Sequence, residues 1–151
     1  MVILYCFLIM LKSIGEILYN LAKEKAKEMN KKVFFIAGYI SAEERERIRQ
    51  MMEQENNVVL IASFGTLSVG VNIKNLMCLI FAHPFKARIR TLQSIGRSLR
   101  KLEGKEKAIL IDILDDLTYN KYNNFATKHA TERLKIYEQE GFNIVYKSIE
   151  L

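Results

Sequence analysis

A glutamine and two arginines are spaced so that they could act together on an anion. On a helix over Arg88–Leu102, Gln93, Arg97 and Arg100 stand at i, i+4 and i+7 and share one face. Four apolar residues gather on the opposite face, where they would dock on a sheet: Leu92, Ile95, Leu99 and Leu102. Gly96 inside this helix costs about 1 kcal/mol relative to Ala, which is easier to understand if a ligand approaches the backbone. The pattern indicates a cationic face that could bind phosphate groups, although the solvated face of an ordinary amphipathic helix explains it equally well.

A second segment, Ser63–Asn72, is rich in small and hydroxyl residues and follows a predicted strand. It contains no lysine that could hold a phosphate. The sequence as a whole has neither G-x-x-x-x-G-K-[ST] nor a G-x-G-x-x-G after a strand, the two common phosphate-binding patterns. No acidic pair at a strand end suits Mg²⁺; the residues that come closest are Asp112, Asp115 and Asp116. We therefore expect that this chain alone holds no metal ion and does not hydrolyse ATP.

Apolar runs alternate with amphipathic ones along the chain. The predicted strands are Val2–Phe7, Val33–Ile36, Val58–Ala62, Met77–Ala82 and Ala108–Ile113. Between them, helices are predicted at Lys12–Met29, Ala42–Glu55 and Arg88–Leu102. Short apolar strands flanked by helices are typical of a parallel sheet that is covered on both faces. The pattern predicts an α/β, doubly wound fold.

Two predicted helices have clear boundary signals. Ser41 is followed by Glu44 at the spacing of a capping box, in which each side chain satisfies an amide at the helix start. A final helix is predicted over Asn123–Glu140 and is ended by Gly141. After it, Asn143–Ile149 alternates in the way that suits an edge strand.

The apolar run at the beginning, Val2–Leu11, does not indicate a membrane segment. A bilayer span needs about 20 residues, and this run has neither a basic segment before it nor a small-residue cleavage site after it. We interpret it as a buried strand that leads into a helix. Because the chain opens directly on this strand, we expect a fragment or a lobe separated from a larger protein.

Composition limits the chain to an ordinary globular class. Its 151 residues fit one domain, and 23 Lys and Arg against 17 Asp and Glu give a net charge of +6. That excess favours an anionic partner such as nucleic acid, but many unrelated proteins are equally basic. The two cysteines, Cys6 and Cys78, lie in apolar runs without a CxxC pattern, which predicts buried, reduced thiols in a cytoplasmic protein.

The segment Gln93-x-x-Gly96-Arg97-x-x-Arg100 resembles motif VI of superfamily 2 helicases. In that family the two arginines face the ATP that the other lobe holds. The resemblance implies that Arg100 is the arginine finger, Arg97 a γ-phosphate sensor and Gln93 part of the same catalytic network. A guanidinium suits this role because it neutralises charge on the transferred phosphoryl group and does not deprotonate. The resemblance also implies ATP and Mg²⁺ as cofactors, bound mainly by an N-terminal RecA-like lobe of the same or a separate chain.

Neighbouring segments resemble other motifs of this family in the right order. Ser63–Asn72 is similar to motif V, which implies nucleic-acid contacts by three residues: Ser63, Gly65 and Thr66. Gly70 matches the glycine of that motif, and Asn72 stands where the family usually has an Asp that meets the ribose or couples the sites. Both are therefore expected in the cofactor site. The first strand resembles motif IV, and Gly38 lies in the glycine turn after the following strand, where we expect nucleic-acid binding.

The resemblance covers about residues 1–115 and implies a three-layer RecA-like domain with a mostly parallel sheet and helices on both faces. We expect residues 1–151 to form a single helicase C-terminal domain, in which residues 116–151 are a family-specific extension of a helix and a strand. The tail, Lys128–Phe142, is similar to the end of phage UvsW-type DNA helicases, which remodel branched DNA. The function implied is the second motor lobe of an ATP-dependent helicase that acts on nucleic acid, with DNA preferred. Two alternatives stay open: a stand-alone nucleic-acid-binding module without ATPase activity, and a translocase within a restriction or remodelling complex.

Other polar and aromatic residues are given structural roles. His83 has no evident nucleophile beside it, so we interpret it as a structural histidine, and His129 as a surface residue. Tyr119, Tyr122 and Phe125 lie among Lys and Asn and could stack on bases. Packing of their helix onto the sheet is the preferred interpretation.

Overall fold

The computed structural model describes residues 4–9, 12–55, 57–63, 65–66, 76–83, 85–86, 108–115 and 124–149. These residues include five strands: β1 (Leu4–Ile9), β2 (Lys32–Ile36), β3 (Val58–Ser63), β4 (Leu76–Phe81) and β5 (Ile109–Asp112). They also include three long helices: α1 (Lys12–Glu28), α2 (Ala42–Gln54) and α3 (Phe125–Gln139). The helix predicted over Arg88–Leu102 lies outside the described residues.

The chain divides into two compact units. The first contains the described residues up to His83 together with residues 108–113, and so holds the whole sheet with α1 and α2. The second contains Phe85, Lys86 and the described residues from Leu114 onward, including α3.

The sheet of the first unit is entirely parallel, with the strand order β2-β3-β1-β4-β5. The connection from β1 to β2 runs in one direction across the sheet, and the connection from β2 to β3 runs in the other. Because such crossovers are right-handed, α1 and α2 belong on opposite faces. The prediction of an α/β, doubly wound fold is confirmed.

The core of this sheet lies in its inner strands. Five successive residues of β3 are buried, Val58–Ala62, and so are four of β4, Cys78–Phe81. Continuous burial is what a parallel strand covered on both faces requires, and the apolar runs predicted it. β5 differs, because it is an edge strand whose Ile109 and Ile111 are exposed. Coverage on both faces therefore holds for β3 and β4 and not for β5.

Helix α1 packs against β2 through an aromatic pair. The ring of Tyr19 lies 5.7 Å from that of Phe35, and Ala26 on the same helix is buried. The helix ends where Asn30 adopts a φ of 50°, and the amide of Lys31 then donates to the carbonyl of Ala26 at 2.9 Å. Asn is one of the few residues that enter this left-handed region at small cost, so it ends the helix without a glycine.

Helix α3 has a cap at each end. The side chain of Asn124 accepts a hydrogen bond from the amide of Thr127 at 2.7 Å. At the other end Gly141 has a φ of 70°, and the amide of Phe142 donates to the carbonyl of Tyr137 at 2.9 Å. The rings of Tyr137 and Phe142 lie 5.8 Å apart, which completes a Schellman motif with its apolar contact. The predicted helix ended by Gly141 is confirmed, with a start at Phe125 instead of Asn123.

The prediction of an edge strand over Asn143–Ile149 is wrong. This segment forms no strand, and its side chains at Val145, Tyr146 and Ile149 are exposed. Alternation of apolar and polar residues fits a strand with one buried and one exposed face. A strand also needs a neighbouring strand that hydrogen-bonds to its amides and carbonyls. The described sheet ends at β2 and β5, and neither edge pairs with this segment.

Candidate nucleic-acid interface

The carboxyl ends of the parallel strands meet at one edge of the sheet, and several predicted site residues lie there. Ile36 at the end of β2 is in register with Ala62 of β3, and Ile9 at the end of β1 is in register with Ser63. Neighbouring strands lie about 4.8 Å apart, so the turns that follow β2 and β3 are adjacent. The structure thus brings Gly38 close to the Ser63 segment. In open α/β sheets this carboxyl edge is where ligands bind.

Two hydroxyls lock the turn that follows β3. Thr66 is buried, and its Oγ1 donates to the carbonyl oxygen of Ser63 at 2.6 Å. Because that bond uses the only proton of Thr66, the 2.8 Å contact between the two hydroxyls has Ser63 Oγ as donor. The buried Thr66 hydroxyl therefore stabilises the turn through a hydrogen bond within it. Ser63 is half-buried, and rotation of its hydroxyl would redirect one proton outward without breaking the bond that holds the turn.

The glycines of these two turns are exposed and face open space. A Cβ built on Gly65 or on Gly38 meets no heavy atom within 4 Å in the described part of the chain. Neither glycine has the positive φ that would make a side chain costly. Packing of the described residues therefore gives no reason for glycine at either position.

The turn after β2 leads into an acidic helix start. The amide of Ile40 donates to the carbonyl of Ala37 at 3.0 Å, which closes the turn around Gly38. Ser41 then caps α2 by accepting from the amide of Glu44 at 3.1 Å, which confirms the serine half of the predicted capping box. The carboxylate of Glu44 pairs with Arg47 at 2.9 Å. Hydrogen bonds from its own backbone amide and from Ser41 lower the pKa of Glu43. Glu43 and Glu44 therefore make the first turn of α2 acidic.

The described acidic and thiol groups are not arranged as a metal site. In the ranges that the structure covers, no three His, Cys, Asp or Glu side chains are grouped so that they could hold a metal ion. Cys78 is a free thiol in the core, where burial raises its pKa, as expected for a structural cysteine. Among the described helices, none is both long and apolar enough to cross a membrane.

The predicted cofactor and catalytic residues fall outside the described residues. These are Gln93, Arg97 and Arg100 of the first predicted motif and Gly70 and Asn72 of the second. His83 follows β4 and Asp112 ends β5, so both lie at the carboxyl edge of the sheet.

In the second unit, a buried arginine that we did not predict holds a loop against α3. Arg133 has an exposed fraction of 0%, and its Nη1 donates to the carbonyl of Phe85 at 2.7 Å. Its guanidinium also lies 4.8 Å from the centre of the buried Phe85 ring. The helical period of the sequence could have indicated that Arg133 is buried, because this residue lies on the same helix face as three buried residues: Ala130, Ile136 and Tyr137. An arginine on the apolar face of a helix thus indicates a buried side chain that holds another segment in place.

The structure also places Phe125 differently from our preferred interpretation. Packing of its helix would bury the ring, whereas its exposed fraction is 78%. His129 lies beside it, with the two ring centres 6.4 Å apart. The other two aromatic residues of that cluster, Tyr119 and Tyr122, lie outside the described residues.

The parallel sheet, its strand order and the position of the candidate interface define a RecA-like α/β domain. Residues 2–101 match the helicase conserved C-terminal domain family, and the chain belongs to that family. It is 32% identical over 147 residues to the ATP-dependent DNA helicase uvsW of Enterobacteria phage T4, a match that covers 91% of this chain and 28% of the phage protein. It is 26% identical over 126 residues to putative helicase 22 of Sulfolobus islandicus filamentous virus, covering 81% of this chain and 21% of that protein.

Solved structures agree with this family. The crystal structure of T4 UvsW matches with a TM-score of 0.72 and 31% identity over 97% of this chain and 31% of that one. The C-terminal domain of the DEAD-box protein Dbp5 matches with a TM-score of 0.64 at 19% identity, covering 91% of this chain and 69% of that one, which shows the fold alone. The prediction of a C-terminal RecA-like lobe of a superfamily 2 helicase, similar to phage UvsW, is confirmed. The chain spans less than a third of the length of the curated relatives.

Proposed function

We propose that the chain is the second motor lobe of an ATP-dependent DNA helicase that remodels branched DNA. The observation that carries the proposal is the family match over residues 2–101, a range that contains Gln93, Arg97 and Arg100. The names of two relatives support it, since one is an ATP-dependent DNA helicase and the other a putative helicase. The phage relative also supports action in the cytoplasm of a bacterial or phage-infected cell.

The lobe works with an N-terminal RecA-like partner in the same polypeptide or in a separate one. Because this sequence has no phosphate loop, the partner holds most of the ATP and Mg²⁺. Arg100 supplies the arginine finger, while Arg97 and Gln93 contact the γ-phosphate region; Gly70 and Asn72 contribute from the segment after β3. The finger stabilises charge that develops on the transferred phosphoryl group.

One nucleic-acid strand lies along the candidate interface, across the adjacent turns after β2 and β3. Gly38 and Gly65 let the sugar-phosphate backbone approach their amides, because the space beside each is open in the described part of the chain. Ser63 donates its hydroxyl to a phosphate after releasing Thr66, whose own bond keeps the turn in place. The net charge of +6 favours this partner.

An ATPase measurement tests the proposal. The chain alone should show no activity, and the chain joined to its phosphate-loop lobe should show ATPase activity that single-stranded DNA stimulates. Arg100→Ala in the joined protein should lower turnover by about 10³–10⁵-fold. Lys101→Ala, which removes the adjacent cation, is the matched control and should have little effect.

Two outcomes separate the alternatives. Normal turnover of Arg100→Ala refutes the arginine-finger assignment. DNA binding by the chain without ATPase activity in the joined protein supports a stand-alone binding module. Strand displacement on forked and Holliday-type DNA distinguishes a branch-remodelling helicase from a translocase that moves without separating strands.

A further inference from the structure

The start of α3 presents an aromatic ring to solvent where burial would be expected. Phe125 is the first residue of the helix and has an exposed fraction of 78%. The same helix buries Ala130, Ile136 and Tyr137 on another face, so its apolar stripe does not include this ring. Leaving a phenyl group in water loses about 1.5–3 kcal/mol relative to burying it, which makes an exposed phenylalanine informative when its neighbours are polar.

The neighbours of Phe125 on α3 include a second ring and a lysine. The imidazole ring of His129 lies 6.4 Å from the phenyl ring, tilted by 40°. Lys128, about one turn further along the same helix, is exposed. The nearest carboxylate along α3, Glu132, is about two helical turns from Phe125.

Two rings beside a lysine suit a particular ligand chemistry. Proteins that bind single-stranded nucleic acid stack unpaired bases on aromatic side chains and contact the phosphates with cations. An apolar protein partner would require further exposed apolar residues around Phe125, whereas the exposed residue on the next turn of α3 is Lys128. The charge and ring chemistry therefore favour a nucleic-acid base over a protein surface.

We propose that Phe125 and His129 form a stacking platform for an unpaired base of single-stranded nucleic acid, with Lys128 contacting an adjacent phosphate. This platform belongs to the second unit, and none of its residues is part of the predicted motifs. It rests on the nucleic-acid-binding part of the proposed function and adds a contact that stacks on the faces of bases. Stacking is tolerant of sequence because every base has a π face, so the platform binds without selecting a sequence.

The absence of tryptophan from the sequence gives a direct test. F125W introduces a single indole at the platform, and titration with an oligo(dT) strand should produce a saturable loss of its fluorescence. I17W on α1 is the control, because Ile17 is also well exposed, at 60%, and lies in the first unit. Its emission should stay unchanged over the same titration.

Affinity measurements separate stacking from other contributions. By fluorescence anisotropy, F125A and F125L should each weaken oligo(dT) binding about tenfold, while F125Y should retain it, because stacking requires a ring and not only apolar area. Lys128→Ala should reduce the slope of log K against log salt by about 0.7, whereas F125A should leave that slope unchanged. Far-UV circular dichroism checks that each variant is folded.

The results distinguish this proposal from the motor assignment. Equal quenching of F125W and I17W, wild-type affinity of F125A, or no oligo(dT) binding at all would overturn the platform. DNA-stimulated ATPase activity of the joined protein without quenching of F125W would leave the motor assignment intact and remove the platform. Quenching of F125W without ATPase activity of the joined protein would support the platform and refute the motor assignment.

Discussion

Replacement of Arg133 tests whether a buried cation holds the second unit together. The side chain is fully buried, donates to the carbonyl of Phe85 at 2.7 Å and lies 4.8 Å from the centre of that ring. A buried charge is costly unless hydrogen bonds and close contacts compensate it. The described contacts of Arg133 meet that condition, so their loss should be visible in the free energy of unfolding.

The magnitude follows from the two contacts. A hydrogen bond from a charged donor contributes about 1.5–3 kcal/mol, and a desolvated cation–π contact adds about 2 kcal/mol. Arg133→Ala should therefore lower the free energy of unfolding by about 4 kcal/mol. Arg133→Lys keeps a charge and a donor but loses the planar stacking, so its loss should be about 2 kcal/mol.

Urea unfolding followed by far-UV circular dichroism measures these losses, and amide hydrogen exchange in α3 locates them. Lys135→Ala on the same helix is the control, because that side chain is exposed and its removal should change stability by no more than about 0.5 kcal/mol. The anchor is refuted if Arg133→Ala and Lys135→Ala differ by less than about 1 kcal/mol.

Three further predictions concern the first unit. Gly65→Ala should stabilise the free chain by up to about 1 kcal/mol, because Gly65 is helical and the space beside it is open. The same change should lower DNA affinity measured by anisotropy, and unchanged affinity would contradict close approach of a strand. Ser63→Ala should weaken DNA binding with little loss of stability, whereas Thr66→Val should lower thermal stability by about 1 kcal/mol because the turn loses its inner hydrogen bond. The reverse pattern would contradict the roles assigned to the two hydroxyls. Because burial raises the pKa of Cys78, the neutral thiol stabilises the fold below the ordinary thiol pKa, and this contribution is lost as pH rises toward the folded value. Peptide mapping after iodoacetamide treatment should find Cys78 unmodified in native protein and modified in urea, and rapid native modification would contradict its burial.

Local signals in the sequence were sufficient for most elements of the sheet. The apolar runs gave β2, β3, β4 and β5 to within one residue at each end, because turn residues or charges bound each run. The first strand was predicted over Val2–Phe7 and lies over Leu4–Ile9. Its apolar run is longer than the strand and has no period, so its limits come from register with β3 and β4, which a local pattern does not contain.

Predictions failed where they depended on a partner from another part of the chain. Asn143–Ile149 has the alternation of a strand but no pairing edge, and Phe125 lies on a helix whose buried face is elsewhere. Within the candidate interface, the sequence indicated Gly38, Ser63 and Gly65 through resemblance. The hydrogen bond from the Thr66 hydroxyl to the Ser63 carbonyl depends on atomic positions, so it could not be predicted from the sequence.

The strand order has a consequence for how the chain acquires its fold. β1 lies in the middle of the sheet, between β3 and β4, although it is the first of the five strands to be synthesised. Its backbone therefore has no partner until residues of β3, more than fifty positions later, have left the ribosome. Such long-range parallel pairing is slow and leaves an apolar segment exposed in the meantime. During translation, the future centre of the sheet is thus an apolar segment that stays unpaired until β3 has emerged.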